Sequence, residues 1–167
     1  VILADALGNG VSSAPSNSKQ QPHMKFPAIA IRDMVNSQRQ LVEKVLHIPH
    51  LRGVIGISMG GMQTFQWIVA YPDFMDRAIP IVGSPKLTSY DLLLWQSGIH
   101  AIQADVNWKN GDYTAPPEAG LRTLADIEAL AIQTPSYRVR QTSPEDFKKF
   151  LDTSERDTIH GFDANKP

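Results

Sequence analysis

One stretch of sequence decides the fold: residues 54–63, VIGISMGGMQ. Residues 53–57 form an apolar run without alternation, which is typical of a strand buried on both faces of a parallel sheet. Ser58 follows at once, and residues 59–71 have the apolar spacing of a helix that ends at Pro72. The stretch therefore predicts a serine on the sharp turn between a buried strand and a helix.

The two glycines that flank this serine complete a Gly-x-Ser-x-Gly pattern. We interpret Gly56 and Gly60 as structural residues that keep side chains out of a strained, crowded turn. Ser58 is the predicted catalytic nucleophile, and the backbone N–H of Met59 is the predicted oxyanion donor at the start of the helix. The alternative is a turn shaped by packing alone, in which Ser58 is an ordinary helix cap.

The chain on either side of this turn predicts an α/β fold. Apolar runs at residues 1–4 and 77–82 read as further strands, and a helix from Asp33 ends before Pro49. This order implies about three parallel strands with right-handed crossover helices. After Gly83 the patterns are helical, at residues 86–104, at 121–131 and after the helix start Ser143-Pro144-Glu145-Asp146. We therefore expect a partial core over residues 1–83 and a mainly helical region over 84–167.

Composition limits the classes of partner. The chain has 167 residues, 42% of them hydrophobic, and its 16 basic and 17 acidic residues give a net charge of −1. This balance predicts no nucleic-acid or membrane partner, and no apolar run reaches the length of a membrane span. No His, Asp and Glu set has metal-ligand spacing. We expect a cytoplasmic protein whose true amino terminus lies upstream, since Val1-Ile2-Leu3 already reads as part of a strand.

A serine nucleophile needs a base, usually a histidine held by a carboxylate. His160 has the right chain order, since it follows the serine, but no strand-like run precedes it. The other histidines lie in connectors, a polar loop or a helix: His23, His47, His50 and His100. Acidic candidates all fall in the helical region or its loops: Asp105, Asp112, Asp126, Asp152 and Asp157. The sequence therefore predicts that no histidine of this chain activates Ser58.

Several motifs extend over nearly the whole chain, and one of them contains Ser58. They are DALGNG at 5–10, IRDMV at 31–35, SMGGMQ at 58–63 with Trp67, Tyr71-Pro72, AIQAD at 101–105 with Trp108, Gly111-Asp112-Tyr113, Gly120-Leu121, and FDAN at 162–165. Residues 5–10 also begin like a dinucleotide fingerprint, but Ser13 occupies the third glycine position, so we interpret them as a loop turn. Together the motifs resemble the homoserine O-acetyltransferase family of α/β-hydrolase-fold enzymes.

The resemblance implies a mechanism and a role for each region. Ser58 would accept an acyl group from acetyl-coenzyme A, a co-substrate, with no bound cofactor. The helical region would be a lid over the substrate tunnel. The catalytic Asp and His would lie beyond Pro167 and the second oxyanion donor before Val1, so that this chain is an internal fragment. Small molecules are the expected partners, and a homodimer of the full-length enzyme is an open alternative.

The sequence departs from the family pattern at two places. Ile99 and His100 stand where members usually carry an arginine for the amino-acid substrate, and residues 124–133 replace a Gly-His-containing segment. An apolar side chain cannot pair with a carboxylate, which leaves the acceptor open. The expected activity is acyl transfer to a hydroxyl. One alternative is a serine esterase that uses water, and a second is a hydrolase-like domain that binds without catalysis.

Overall fold

A computed structural model describes residues 1–164 of the chain; residues 165–167, including Asn165 of the last motif, lie outside the described residues. Two compact units divide the chain. Among the described residues, the first comprises Val1–Ser13 and Pro27–Leu87, and the second comprises Ala14–Phe26 and residues 88–164. The α/β class predicted from sequence, with parallel strands and a crossover helix followed by a mainly helical region, is confirmed.

The first unit is built around two parallel strands and the helix that connects them. Its elements are α1 (Ile31–Gln40) with a π-helical extension (Leu41–Val45), β1 (Val54–Ile57), α2 (Met59–Ala70), a 3-10 turn (Pro72–Phe74) and β2 (Ala78–Ile81). The register places Ile55 opposite Ile79 and Ile57 opposite Ile81. Both strands therefore end side by side, at the edge of the sheet where α2 begins.

The expectation of three strands is wrong for the described residues, which hold a sheet of two. The apolar run at residues 1–4 forms no strand there. A strand is stabilised by hydrogen bonds to a neighbour, and in this part of the chain β1 pairs with β2 while residues 1–4 pair with neither. The hydrophobic pattern identified a strand-like sequence, but it does not show whether a neighbouring strand is present to pair with it.

The prediction that β1 is buried on both faces is also wrong in this structure. Val54 and Gly56 point towards α2 and are half-buried, whereas the side chains of Ile55 and Ile57 are 66% and 65% exposed. Alternate residues of a strand face opposite sides, and α2 covers one side of β1 and β2. The isoleucines of the other side form an apolar surface, which we call the isoleucine face: Ile55, Ile57, Ile79 and Ile81.

The core of the first unit fixes α2 against α1. Trp67 is buried and stacks on Phe74, with ring centroids 5.8 Å apart. The guanidinium of Arg39 lies over the Tyr71 ring, 4.3 Å from its centroid. Trp67 Nε1 also donates a hydrogen bond to Gln38 Oε1 at 3.1 Å. These contacts set the position of α2, and so the position of the turn from which it starts.

The second unit is helical in its described part, apart from loops. Its helices are α3 (Ser89–Ala104), α4 (Glu118–Ala131), α5 (Pro135–Gln141) and α6 (Phe147–Gly161). Ser143 Oγ accepts a hydrogen bond from the Asp146 backbone N–H at 3.2 Å, so the predicted helix start is a capped turn just before α6. Residues 137–139, which resemble a short strand in sequence, are helical. Within residues 1–164 no helix is both long and apolar enough to cross a membrane.

The contact between α3 and α4 depends on a glycine and a carboxylate. A Cβ on Gly120 would lie 2.8 Å from both the Ala101 carbonyl oxygen and the Ile102 Cα, so the two helices meet closely here. Asp105 Oδ2 accepts a hydrogen bond from the Gly120 backbone N–H at 3.0 Å, and Oδ1 accepts from Asn107 at 2.8 Å. The carboxylate thus satisfies one of the free N–H groups at the start of α4.

Candidate active site

Ser58 has a strained backbone at the end of β1. Its φ is 55° and its ψ is −120°, outside the regions that residues with a side chain ordinarily adopt. The Ser58 N–H donates to the Ile81 carbonyl oxygen at 2.9 Å, and the Ser58 carbonyl oxygen accepts from the Met62 N–H at 3.1 Å. The second strand and the first turn of α2 therefore hold Ser58 in this conformation from both sides.

The Ser58 side chain does not cap α2. Ser58 stands at the residue before the helix, but its hydroxyl makes no capping hydrogen bond, and its backbone is not in the extended region of ordinary capping residues. The residue is exposed. Backbone strain of this kind costs on the order of 1–3 kcal/mol and clusters at functional sites. An exposed, strained serine without a capping role is the geometry in which a nucleophile is presented to substrate.

Gly56 is required by the close approach of β1 and α2. A Cβ there would lie 1.9 Å from the Gly60 carbonyl oxygen and 2.7 Å from Thr64 Oγ1. The predicted crowding does not hold for Gly60, where an added Cβ would meet nothing within 4 Å. The crowding is one-sided because Gly60 contributes its backbone to the contact. The interpretation of both glycines as structural residues of a nucleophile turn stays a prediction.

A second glycine pair was missed by the reasoning from sequence. A Cβ on Gly61 would lie 2.9 Å from the Ile81 carbonyl oxygen, and one on Gly83 would lie 2.6 Å from the Gly61 carbonyl carbon. Gly61 and Gly83 thus bring the first turn of α2 against the end of β2. The Gly60-Gly61 doublet and a glycine two residues after β2 were the available signals.

The first turn of α2 suits a developing negative charge. The first backbone N–H groups of a helix have no partner within the helix, and they carry the positive end of its dipole. Met59 is the first residue of α2 and adjoins Ser58. An oxyanion formed by attack of the Ser58 hydroxyl on a carbonyl would lie beside these groups. The role of the Met59 N–H as a donor remains a prediction.

The first unit contains a histidine–carboxylate pair, but at the wrong edge of the sheet. His50 Nε2 lies 2.8 Å from Asp76 Oδ1, and this hydrogen bond holds the pKa of the Asp76 carboxyl below its usual range. The pair flanks the bridge between Leu51 and Met75, which precedes both strands. At about 3.3 Å per residue, roughly 20 Å separates this bridge from Ser58. His50 therefore cannot take the Ser58 proton.

The remaining candidates for base and acid lie elsewhere. His47 follows the π-helical extension of α1, and the second unit contains the other three: His23, His100 and His160. Among the acidic candidates, Asp105 is bound to the α4 amino terminus, Asp112 follows a 3-10 turn, Asp126 is in α4, and Asp152 and Asp157 are in α6. Among residues 1–164 no group of three His, Asp or Glu side chains could hold a metal ion.

Parallel strands joined by a crossover helix, with a strained serine at the turn into that helix, define an α/β protein whose candidate site lies at a strand–turn–helix unit. Comparison with known families agrees. The model of the alpha/beta hydrolase fold family matches residues 1–159, and the chain belongs to that family.

Relatives and solved structures carry the names of two enzyme activities. A homoserine O-acetyltransferase of Corynebacterium urealyticum is 35% identical over 83% of the chain and 36% of its own length. A probable esterase of Corynebacterium glutamicum is 36% identical over 77% of the chain and 38% of its own length. The structure of the acetyl esterase MekB superposes with a TM-score of 0.86 at 30% identity, over 95% of this chain and 48% of that one.

The resemblance to homoserine O-acetyltransferases is thus confirmed, and a member from Bacillus anthracis superposes with a TM-score of 0.74 at 26% identity, over 93% of this chain and 47% of that one. The chain spans less than half the length of each of these relatives. Acetyltransferases and esterases occur side by side among them, so membership of the family does not distinguish between these two activities.

Proposed function

We propose that this chain forms part of an acyltransferase that passes an acetyl group from acetyl-coenzyme A to a hydroxyl acceptor through an acyl-enzyme on Ser58. The observation that carries the proposal is the strained, exposed Ser58 at the start of α2. The names of the acetyltransferase relatives support the choice of donor. Small molecules are the substrates, and the chemistry requires no bound cofactor.

The reaction has two steps. Ser58 Oγ attacks the thioester carbonyl, a base takes the hydroxyl proton, and the oxyanion is stabilised by the Met59 N–H. The C–S bond then breaks, and the thiol leaves with the proton from the base. In the second step the acceptor hydroxyl gives its proton to the base and attacks the acyl carbon. The Oγ–C bond breaks, and Ser58 recovers its proton as the new ester leaves.

The base and its carboxylate partner belong, in this proposal, to a part of the whole enzyme beyond this chain. Two observations support it: the His50–Asp76 pair lies at the far edge of the sheet, and the relatives are more than twice as long as the matched region. A homodimer of the whole enzyme is part of the same proposal. Sedimentation of the whole enzyme tests it, since a monomer at micromolar concentration would contradict it.

A serine esterase is the second candidate. The acetyl esterase superposes with a higher TM-score than the Bacillus anthracis acetyltransferase, 0.86 against 0.74. Ile99 is an exposed apolar residue on α3. By the resemblance to homoserine O-acetyltransferases, it stands where members of that family usually carry an arginine for the amino-acid substrate. An apolar residue provides no partner for the carboxylate of an amino-acid acceptor. Water would then replace the hydroxyl acceptor in the second step.

Parallel assays of the whole enzyme distinguish these activities. One contains acetyl-coenzyme A and homoserine, the other 4-nitrophenyl acetate, and Ser58→Ala is the control in both. Formation of O-acetylhomoserine that Ser58→Ala abolishes supports the transferase. Ester cleavage without that product contradicts the transferase and supports the esterase. If the folded enzyme does neither, a hydrolase-like binding domain is the remaining interpretation.

A further inference from the structure

Val82 follows the end of β2 as Ser58 follows the end of β1. Ile57 and Ile81 are opposite each other in the register, and each is the last residue of its strand. The Ser58 N–H donates to the Ile81 carbonyl oxygen at 2.9 Å, so the pairing continues to the ends of both strands. Neighbouring strands lie about 5 Å apart, which places the backbones of Ser58 and Val82 at about this separation.

The backbone of Val82 is strained in the same sense as that of Ser58. Its φ is 45°, in the left-handed region, where a β-branched residue is an outlier. The close approach of Gly83 to Gly61 fixes the chain immediately after it. The first turn of α2 therefore adjoins both strained residues: Met62 N–H donates to the Ser58 carbonyl oxygen, and Gly61 lies against the residues on either side of Val82. Strain kept at neighbouring positions indicates a shared functional site.

Val82 is 81% exposed at this edge. It contributes little to the core, so packing of its side chain does not compensate for the unfavourable backbone conformation. Glycine would adopt this conformation without strain. An apolar group beside an exposed serine is suited to contact with the non-reacting part of a substrate. Val82 directly follows the neighbouring strand, and backbone contacts fix its place. A side chain fixed in this way is suited to limit the size of the acyl group bound to Ser58.

We propose that Val82 is a specificity-determining residue whose isopropyl group limits the length of the acyl chain carried by Ser58. This inference rests on the proposed function. When Ser58 Oγ bonds to the acyl carbon of acetyl-coenzyme A, the C–S bond breaks and the departing thiol takes the serine proton through the base; with a 4-nitrophenyl ester the C–O bond breaks and 4-nitrophenol leaves in the same way. The first carbons of the acyl chain then extend within a few ångströms of Ser58, where Val82 stands. Acetyl groups fit, and longer chains collide with Val82.

The test compares 4-nitrophenyl acetate, butyrate and hexanoate as substrates of the whole enzyme. Val82→Ala removes two methyl groups and is expected to raise the ratio of kcat/KM for hexanoate over acetate about tenfold. Val82→Ile keeps the β-branch, adds a methylene and lowers the same ratio. Val69→Ala is the matched control, because Val69 is 73% exposed on α2, and lies roughly 15 Å along the helix from Ser58.

Opposite shifts in the Ala and Ile variants, with the Val69→Ala ratio unchanged, support the inference. If Val82→Ala does not fold, the shift in Val82→Ile decides. Turnover that Ser58→Ala abolishes, with a ratio that neither Val82 variant changes, overturns the role of Val82 and leaves the proposed function intact. Absence of Ser58-dependent turnover of every ester, together with absence of Ser58-dependent O-acetylhomoserine formation from acetyl-coenzyme A and homoserine, overturns the proposed function and this inference with it.

Discussion

Gly56 and Gly60 meet backbone to backbone: a Cβ on Gly56 would lie 1.9 Å from the Gly60 carbonyl oxygen, whereas a Cβ on Gly60 would meet nothing within 4 Å. Gly56→Ala therefore forces β1 and α2 apart and should lower the free energy of unfolding by about 3 kcal/mol, the upper end of overpacking costs. Gly60→Ala is the matched control and should be neutral or stabilising by up to about 1 kcal/mol. Urea denaturation of the whole enzyme measures both.

Equal losses in the two variants would contradict this one-sided contact. Activity gives a second readout, since displacement of α2 changes the orientation of the Met59 N–H relative to the Ser58 hydroxyl. We therefore expect Gly56→Ala to lose ester turnover even under conditions where the protein remains folded.

Gln63 belongs to a buried polar network that connects α1 and α2. Gln38 Nε2 donates to Gln63 Oε1 at 2.6 Å, and Trp67 Nε1 donates to Gln38 Oε1 at 3.1 Å. Gln63→Leu leaves the Gln38 amide without its acceptor and should destabilise the protein by about 1–3 kcal/mol. Thermal unfolding followed by tryptophan fluorescence measures the loss.

Gln63→Glu is the control for this prediction, since a protonated carboxyl still accepts from Gln38 Nε2 through its carbonyl oxygen. It should retain more stability than the leucine variant at about pH 4, where the buried carboxyl carries no charge. If Gln63→Leu is as stable as the unmodified protein, the network does not contribute to the attachment of α2.

Asp105 should make the second unit sensitive to acid. Hydrogen bonds from the backbone of Asn107 and Gly120 hold the pKa of its carboxyl below the ordinary value of 3.8. A lowered pKa in the folded state means that the contribution to stability is complete above about pH 4. It is lost as the pH falls through the folded-state value. Asp105→Ala should therefore lower Tm at pH 7, by the equivalent of about 1 kcal/mol for a lost cap.

The check is a series of Tm measurements between pH 7 and pH 2. The difference between Asp105→Ala and the unmodified protein should shrink below pH 4. Asp112→Ala is the control at a neighbouring carboxylate. A difference that stays constant down to pH 2 would show that the charge of Asp105 has no part in the attachment of α4.

The isoleucine face should make the isolated 167-residue chain poorly soluble. Ile55 and Ile79 are opposite each other on it and both are exposed. Exposed apolar patches promote association, so the chain should bind the dye ANS and precipitate at moderate concentration. Ile55→Thr/Ile79→Thr keeps the β-branched shape and should reduce dye binding with little change in unfolding free energy.

Val54→Thr provides the contrast, because Val54 is on the opposite side of β1 and packs against the cluster around Trp67. This substitution should cost about 1 kcal/mol or more of stability. If the isoleucine variant is destabilised as much as Val54→Thr, the isoleucine face is covered in the isolated chain.

Ser58 of the isolated chain should also show neither ester turnover nor reaction with a fluorophosphonate probe. A triad serine without its base loses on the order of a million-fold in turnover, about 8 kcal/mol of barrier. A fluorophosphonate probe should therefore label Ser58 in the whole enzyme and leave the isolated chain unlabelled. Strong labelling of the chain, abolished by Ser58→Ala, would show that a histidine of this chain is the base.

Local sequence was sufficient for several features. The apolar run before Ser58, the amphipathic pattern after it and the Gly-x-Ser-x-Gly spacing predicted β1, α2 and the turn between them, since each depends on residues close in sequence. The helical character of the chain after Gly83 followed from the same kind of pattern. The prediction of a strand at residues 1–4 is wrong because a strand needs a neighbouring strand to pair with, which the local pattern does not reveal.

The site required tertiary structure because its contacts join distant parts of the chain. Gly61 and Gly83 are ordinary glycines in sequence and become a required pair only where α2 crosses the end of β2. The left-handed backbone of Val82 has no sequence signature, since valine disfavours it. The sequence by itself determined which residue is the candidate nucleophile. The pairing of β1 with β2 decided which residue stands beside it, because register is fixed by hydrogen bonds between strands.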